Sequence, residues 1–245
     1  ADRRWAPDVA RAGLISIEGD AVVVDNVRDF RWTGPETAEP HWETRRYDLA
    51  RLEGADVFLS HWSSPAIAHM FVSFRFAGAR PLALSVEIRK EEGEEFSAFA
   101  GFFKRYEVVL IAADEADIVK ARTNFRGEDV YLYRADIQAA TARRLFAHYA
   151  AYSRRLAGRP AFYNTLTTNC TTTPFMLARA TGDGLPLDWR VLVSGYADAY
   201  LYDHGFLDRS LPFAEAKRRA AISTRARAAP SDEAFPDWIR ARAAP

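Results

Sequence analysis

The chain has 245 residues, of which 33 are basic and 33 acidic, so its formal net charge is zero. This balance gives no electrostatic reason to expect a nucleic-acid partner. Hydrophobic residues make up 49% of the chain and aromatic residues 13%, which is typical of a folded globular protein and excludes a disordered one. No apolar run approaches the roughly 20 residues that span a bilayer, and no charged-then-apolar signal peptide opens the chain, so an anchor or signal would lie outside these residues.

The N-terminal part is predicted to consist of strands. Residues 14–18 and 21–24 flank the dipeptide Gly19-Asp20, which is typical of a β-hairpin with a tight turn. Further expected elements are an extended segment at 27–32, a polar, proline-bearing loop at 35–43 and a strand at 55–60.

The clearest local pattern covers residues 69–89, where apolar and other side chains alternate on both sides of a turn centred on Gly78. Such alternation predicts an antiparallel hairpin with one well-buried face. The register gives four facing pairs: Met70 and Val86, Val72 and Leu84, Phe74 and Leu82 on the apolar face, and His69 and Glu87 on the other.

The C-terminal half mixes strands with helices, which indicates an α+β fold. The expected elements are a strand at 106–112, a short helix at 114–122, a strand at 129–133, a helix capped by Asp136 and running to Leu156, a helix from Cys170 to Ala180, and a helical tail broken at Ala229-Pro230.

Cys170 is the only cysteine, so it cannot form an internal disulfide and makes a poor metal site. It lies among hydroxyl and amide side chains at a predicted helix start, where backbone N–H groups and the helix dipole favour a thiolate. It is therefore a candidate nucleophile, with a structural role as the alternative. The chain has no phosphate-cradling glycine loop, no HExxH motif and no paired cysteines, so neither a metal nor a nucleotide cofactor is expected.

A nucleophilic thiol needs a base. His69 faces Glu87 in the predicted register, and a carboxylate bonded to one ring nitrogen would leave the other nitrogen for the thiol. The alternative is an ordinary cross-strand pair on a solvated face. His61 is a second candidate base, or else a loop histidine packed on Trp62.

Asn169 is a further candidate catalytic residue, and the candidates for substrate contacts are Arg89, His61, Tyr131 and Arg122. Asn169 is expected either to donate its amide to a developing oxyanion or to cap a helix. Arg89 is interpreted as a phosphate or carboxylate ligand, or as the partner of a neighbouring acid. Arg122 and Tyr131 are expected to contact a lipid headgroup or to belong to the scaffold.

Several motifs in order resemble the Lnb-type periplasmic domain family, over nearly the whole chain. The strongest are the paired strands around His69 and Glu87 and the cysteine motif Tyr163-Asn164-Thr-Leu-Thr-Thr168-Asn169-Cys170. The other matching segments are 2–5, 26–30, 105–107, 114–117, 122–133, 188–190, 195–196 and 202–208. The order of histidine, acidic partner and Asn-Cys before a helix is also similar to permuted papain-like enzymes of the NlpC type.

This resemblance implies a single periplasmic domain over residues 1–245, with a hairpin region at 1–50 and a helical tail at 210–245 as additions to a papain-like core. It implies a cysteine at a helix N-terminus and an anchor in the bacterial inner membrane formed by segments outside this chain. Carried over residue by residue, it makes Cys170 the nucleophile, His69 the base and Glu87 the residue that orients the imidazole.

The implied activity is that of a lipoprotein N-acyltransferase, which moves a fatty acyl chain from membrane phospholipid through a cysteine thioester to a lipoprotein N-terminus. Two alternatives stay open, namely a cysteine peptidase, amidase or lipid hydrolase of the cell envelope, and a non-catalytic module that binds lipid or lipoprotein. Aromatic residues are interpreted as an acyl groove or as core: Trp62, Phe71, Phe74, Phe99, Phe102 and Phe103.

Overall fold

The computed structural model describes residues 3–93, 106–164, 169–182 and 185–241. The strands are β1 (Leu14–Glu18), β2 (Ala21–Arg28), β3 (Arg31–Trp32), β4 (Ala38–Glu39), β5 (Trp42–Asp48), β6 (Leu52–His61), β7 (Ala68–Phe76), β8 (Leu82–Arg89), β9 (Glu107–Ala113) and β10 (Asp129–Arg134). The α-helices are α1 (Glu115–Lys120), α2 (Ala139–Gly158), α3 (Thr172–Arg179), α4 (Ala197–Asp203), α5 (Phe213–Ala220), α6 (Ser223–Arg227) and α7 (Phe235–Arg240).

Within the described residues, the main sheet has eight strands in the order β1-β2-β9-β8-β7-β6-β10, with β5 also paired to β2. Strands β2 and β9 run parallel over a short stretch, and the other pairs are antiparallel. In the described parts of the chain, nine strands precede the first α-helix and the other α-helices follow β10, so the expected α+β class is confirmed at the level of a mixed, mostly antiparallel fold.

Both predicted hairpins are present. Strands β1 and β2 pair around the Gly19-Asp20 turn, from Leu14↔Asp25 to Glu18↔Ala21. Strands β7 and β8 pair Val72 with Leu84 and Phe74 with Leu82, as the alternation predicts. The recorded ladder stops at Val72↔Leu84, so it does not extend to the predicted pair of Met70 with Val86.

One face of the sheet packs against the long helix α2. Phe74 from β7 meets Phe146 and Tyr149 of this helix edge-on, with ring centroids 5.0 and 5.7 Å apart. The helix buries these residues because they recur at helical spacing on one side, together with Leu145 and Leu156. This apolar layer fixes the position of β7, on which His69 lies.

The opposite face is also covered, by α1, α6 and α7. Phe71 of β7 is completely buried there, and Ile222, Phe235 and Ile239 of the C-terminal region pack into the same cluster. The interpretation of a solvated polar face for His69 and Glu87 is therefore wrong. The C-terminal residues supply core packing that alternation in β7 and β8 alone does not reveal.

Some boundaries differ from the prediction. Asp136 does not cap α2, because its backbone N–H donates to the carbonyl of Phe206 at 2.8 Å and keeps this segment extended until Gln138. The expected loop at 35–43 contains β4 and the start of β5. The tail forms three short helices, with a break at residues 221–222 in addition to the one near Pro230. Among the described helices, none has the length and apolar composition needed to cross a bilayer.

A buried ion cluster ties α7 to the sheet. The Arg240 guanidinium donates to Asp56 on β6 at 2.7 Å and to Glu115 on α1 at 2.7 Å. Both carboxylates are almost completely buried, at 1% and 0% exposure. Buried charges of this kind are tolerated only while they remain paired.

We predict that Arg240→Ala lowers the free energy of unfolding by about 3–5 kcal/mol, because Glu115 loses its cationic partner inside the protein. Urea denaturation followed by circular dichroism measures this change. Arg218→Ala is the matched control, since the Arg218 side chain is 75% exposed and its pair with Glu215 spans one helical turn. The control is expected to cost less than about 0.5 kcal/mol, and an equal loss in both variants would refute a structural role for the cluster.

Candidate active site

His69 and Glu87 meet on the covered face of the sheet, as the register predicts. The His69 Nε2 atom lies 3.1 Å from the Glu87 Oε1 atom. The hydroxyl of Ser85 lies 2.7 Å from the same nitrogen and donates to the same carboxylate oxygen at 2.7 Å. One ring nitrogen is thus occupied by a serine and a carboxylate, which leaves Nδ1 for a further partner.

That partner is Cys170, which lies against the edge of β7. Its Sγ atom is 4.0 Å from the Ala68 carbonyl oxygen, and it accepts a hydrogen bond from the backbone N–H of Met70. These two β7 residues flank His69 and lie beyond the last recorded pair between β7 and β8. The cysteine therefore occupies a position where β8 no longer pairs with β7, and it is held beside the imidazole by strand backbone.

Asn169 organises the turn that carries the cysteine. Its side-chain oxygen accepts the N–H groups of Thr171 and Thr172 at 2.8 and 2.7 Å, and its carbonyl accepts the N–H of Thr173 at 3.1 Å. The Thr172 hydroxyl accepts the Asn169 N–H at 3.0 Å in return. This is the reciprocal pattern of a capping box, so the capping alternative for Asn169 is the one these bonds describe. The oxyanion role stays a prediction.

The cysteine and the histidine shift each other's protonation. Burial alone would lower the pKa of His69, but the charges of Glu87 and Cys170 and its hydrogen bonds to both raise that pKa to about 9. Burial alone would raise the pKa of Cys170, but the charge of His69 and a hydrogen bond to it lower that pKa. The two directions favour an imidazolium beside a thiolate near neutral pH, the reactive form of a nucleophilic cysteine.

The pKa of Glu87 determines whether His69 and Cys170 form this ion pair. Burial would raise it, but the charge of His69 and the hydrogen bond to it, then the charge of Arg122 and the hydrogen bond from Ser85, hold it well below its ordinary value. The carboxylate therefore stays ionised, and a fixed negative charge keeps the proton on the imidazole.

Arg122 lies behind the carboxylate. Its Nη2 atom donates to Glu87 Oε1 at 3.0 Å and its Nη1 atom donates to the Ile118 carbonyl at 2.9 Å. The guanidinium also covers the ring of Phe71, 5.2 Å from the centroid, and the residue is only 5% exposed. It sits in a π-helical turn, Ala121–Phe125, directly after α1, and such turns are frequent at functional sites. This burial leaves no surface for a lipid headgroup and makes Arg122 a positioning residue.

The other three candidates for substrate contacts lie elsewhere. Arg89 donates to the carbonyls of Val9 and Ala10 at 3.2 and 2.7 Å, which ties the N-terminal segment to β8. The rings of His61 and Tyr131 meet edge-on at 5.3 Å, at the ends of β6 and β10. The contacts of these three residues include none with Cys170.

His61 differs electrostatically from His69. Burial first and then the charge of Lys217 lower its pKa. Its Nε2 atom is buried without a hydrogen-bond partner in the described residues. The sequence pattern gave it no carboxylate partner, and the structure gives its ring an aromatic neighbour instead.

Three contributors were missed by sequence reasoning. Ser85 is on the same strand face as Glu87, two residues earlier, so alternation contained the signal. Tyr163 lies in the cysteine motif, and burial followed by the charge of Cys170 raises its pKa. The Met70 N–H group has no sequence signal, because every residue except proline carries one.

The aromatic residues that were interpreted as an acyl groove or as core differ in burial. Phe71 and Phe74 are completely buried core residues, whereas Trp62 is 42% exposed. Phe99, Phe102 and Phe103 lie outside the described residues. Among the described residues, Asp29, His41 and Glu43 have donor atoms close enough to hold a metal ion, and this group shares no residue with the cysteine site.

We predict that alkylation of Cys170 by iodoacetamide stays fast well below the pH at which an ordinary thiol, with a pKa of about 8.5, loses reactivity. His69→Ala is expected to move the inflection upward and to slow alkylation near pH 7 by at least about tenfold, because the buried thiolate then lacks its cation. Cys170 is the only cysteine, so the label reports on it alone. His41→Ala, which removes a histidine whose side chain is 60% exposed, is the control, and equal profiles in both variants would contradict the ion pair.

Comparison with models of protein families gives a match to the family described as the Lnb N-terminal periplasmic domain, over residues 38–195. This range contains Cys170, His69 and Glu87 and spans more than half of the chain. Comparisons with curated proteins and with solved structures give no match. The resemblance to the Lnb-type periplasmic domain family is thus confirmed over residues 38–195, and the expected periplasmic location agrees with the family description. The chain belongs to the Lnb N-terminal periplasmic domain family.

Proposed function

We propose that this domain is a cysteine-dependent acyltransferase that moves a fatty acyl chain from membrane phospholipid to an amine, the N-terminus of a lipoprotein. The observation that carries the proposal is the Cys170–His69–Glu87 arrangement, in which a half-buried carboxylate 3.1 Å from the imidazole favours an imidazolium beside a thiol of lowered pKa. A surface cross-strand pair would not need Ser85 and Arg122 to fix the carboxylate from behind.

In the first half-reaction, the Cys170 thiolate attacks the ester carbonyl carbon and forms an S–C bond, which gives a tetrahedral oxyanion. The C–O bond to the glycerol oxygen then breaks. The departing oxygen takes the proton that His69 holds, so a neutral lysophospholipid leaves and Cys170 carries the acyl group as a thioester. Glu87 remains ionised and keeps the imidazole aligned throughout.

In the second half-reaction, an amine nitrogen attacks the thioester carbonyl. The neutral imidazole accepts the amine proton, the C–S bond breaks, and the amide product leaves a thiolate beside an imidazolium again. The resting ion pair is restored without an external proton donor. If water attacks instead of the amine, the same residues give a hydrolase, which is why that alternative shares this site.

The oxyanion needs hydrogen-bond donors. We propose that the turn after Asn169 acts as the first turn of α3, because the Asn169 carbonyl accepts the Thr173 N–H as an N-cap residue does. Cys170 then sits at a helix N-terminus, where the dipole supports negative charge, and its own N–H is the proposed first donor because the Thr171 and Thr172 N–H groups already donate to Asn169. The amide of Asn169 is the proposed second donor, and the loss of one donor typically costs about 3 kcal/mol. A papain-like ancestry of this arrangement is part of the same proposal.

A membrane surface is the proposed source of the donor. Large apolar side chains form an exposed patch on two neighbouring segments: Trp62, Ile67, Trp189, Leu192 and Tyr196. The segments are joined by hydrogen bonds of 3.0 Å from Gly195 N–H to the Ala66 carbonyl and from Ala68 N–H to the Ser194 hydroxyl. The carbonyl of Ala68 faces the Cys170 thiol. Tryptophan and tyrosine favour the water–lipid interface, so this patch would bring the cysteine close to phospholipid. An inner-membrane anchor outside this chain belongs to the same proposal.

We predict that incubation with phospholipid produces one fatty-acyl adduct on the protein, seen by intact mass spectrometry and removed by hydroxylamine. Cys170→Ala is expected to abolish the adduct, and Glu87→Gln to slow its formation by about 10²-fold or more, because the imidazolium loses its counter-charge. Cleavage of peptidoglycan peptides without any acyl adduct would favour the peptidase alternative. Full function of Cys170→Ala in cells would favour the non-catalytic module.

We predict that the double substitution Trp189→Ala and Leu192→Ala weakens binding to phospholipid vesicles by at least about tenfold, since each buried side chain contributes about 1.5–3 kcal/mol. Vesicle sedimentation measures the binding. Trp238→Ala is the control, because Trp238 is 42% exposed but lies on α7, which packs on the opposite face of the sheet. Unchanged binding of the double variant would exclude the patch as the membrane contact.

A further inference from the structure

An apolar pocket lies between the sheet and the helices on the face that carries α2. Its cavity volume is about 90 Å³ for the centre of a water-sized sphere, within about 850 Å³ of atom-free space that includes open solvent. No charged residue is among the described residues that line it, and most of the lining side chains are aliphatic. Its walls come from β6, β7, α2 and α3, for example Val57, Met70, Val72, Leu145, Pro174 and Ala178.

One end of this pocket reaches the candidate nucleophile. Thr171, the residue after Cys170, lines it, and so does Met70, whose backbone N–H bonds to the cysteine sulfur. Cys170 itself is not among the lining residues, so the pocket begins beside the thiol, at the two neighbours Met70 and Thr171. The patch proposed to contact the membrane is also continuous with it, because Val191 lines the pocket while the next residue, Leu192, is 53% exposed.

We infer that this pocket holds the acyl chain of the substrate and of the Cys170 thioester. An acyl group bonded to the sulfur has its polar carbonyl at the thiol and only methylene groups beyond it. A chain of that kind matches a pocket whose mouth has backbone N–H groups and whose depth is apolar. A peptide would need hydrogen-bond partners along its backbone, which this lining of apolar side chains does not provide.

The path of the chain follows two elements. Met70 and Val72 lie on one face of β7, so the chain runs along this strand away from the thiol. On the other side, Pro174 and Ala178 lie on successive turns of α3. Ala178 is six residues beyond the first residue of this helix, or roughly 9 Å along its axis, so this partly buried residue marks an end of the pocket far from the thiol. This assignment rests on the proposed acyltransferase function and adds the site that would measure chain length.

The test introduces a large side chain at Ala178, at an end of the pocket far from the thiol. We expect Ala178→Trp to slow formation of the acyl adduct from a palmitoyl phospholipid by at least about tenfold, since even one methylene in an apolar pocket is worth about 10-fold or more in rate. Adduct formation from a hexanoyl phospholipid is expected to change less than about twofold, because a short chain ends before Ala178. Met176→Trp is the matched control, since Met176 lies on the same helix but is 53% exposed and does not line the pocket.

Two further measurements keep the test decisive. The iodoacetamide rate of Ala178→Trp must match that of the unsubstituted protein, which shows an intact cysteine site. If the variant does not fold, a palmitoyl phospholipid with a terminal diazirine replaces it, and the unsubstituted protein is photolabelled and digested. Labels on the segments around Leu145 and Ala178 support the assignment, and labels confined to other segments overturn it.

Different results would overturn the acyltransferase function and the assignment of the pocket to the acyl chain. An unsubstituted protein that forms no adduct with either donor overturns the acyltransferase function, and the chain site with it. An unsubstituted protein that forms the adduct, together with an Ala178→Trp variant that accepts palmitoyl and hexanoyl donors equally well, keeps the function and overturns the pocket assignment. Selective loss of the palmitoyl donor, absent in Met176→Trp, is the supporting outcome.

Discussion

The negative charge of Glu87 is the interaction on which the candidate site depends. Three neighbours converge on one of its oxygens, namely the His69 ring, the Ser85 hydroxyl and the Arg122 guanidinium, at distances of 2.7–3.1 Å. Arg122 lies behind the carboxylate, where it keeps the acid ionised, and the carboxylate keeps the imidazole protonated. The imidazolium in turn stabilises the Cys170 thiolate. A substitution of Glu87 would therefore change the protonation of the Cys170 thiol.

These charged groups shift one another's pKa strongly because the sheet is covered on both faces. Charges interact more strongly away from water, so the same three groups on an exposed hairpin would shift one another's pKa much less. Burial also has a cost, since each group is destabilised when it loses its partner. The C-terminal helices, which cover the face that carries His69, thus contribute to reactivity as well as to stability. Arg240 pairs with Asp56 and Glu115 and so holds α7 in place, which helps to keep this face of the sheet covered.

The local sequence pattern was sufficient to predict part of the candidate site but not the rest of it. Alternation in residues 69–89 predicted the pair His69 and Glu87, because strand register is a local property with a period of two. The same pattern left open whether their face is exposed to solvent, since nothing in β7 or β8 shows that residues after 220 return to cover it. For the same reason, the pattern left Arg122 open as a contact of a lipid headgroup or as part of the scaffold. Its burial depends on the π-helical turn that it belongs to and on contacts with Phe71 and Glu87, which are distant in sequence. The capping alternative for Asn169 was visible because a cap is formed by residues close in sequence.

Helix α3 connects the reaction centre with the apolar pocket. The turn that holds Cys170 leads into this helix, and the next residues of the helix form one wall of the pocket. Phe175 of the same helix packs against Tyr200 of α4 with ring centroids 5.8 Å apart, which holds α3 against α4. A chain seated along α3 would therefore place its carbonyl carbon near the sulfur without any movement of the helix. Positioning of this kind lowers a barrier because the entropy of alignment is lost on binding rather than in the chemical step. In the proposed reaction, the length of the acyl chain would then affect the rate of attack as well as the affinity, since only a chain that fills the pocket holds the carbonyl in register with the thiolate.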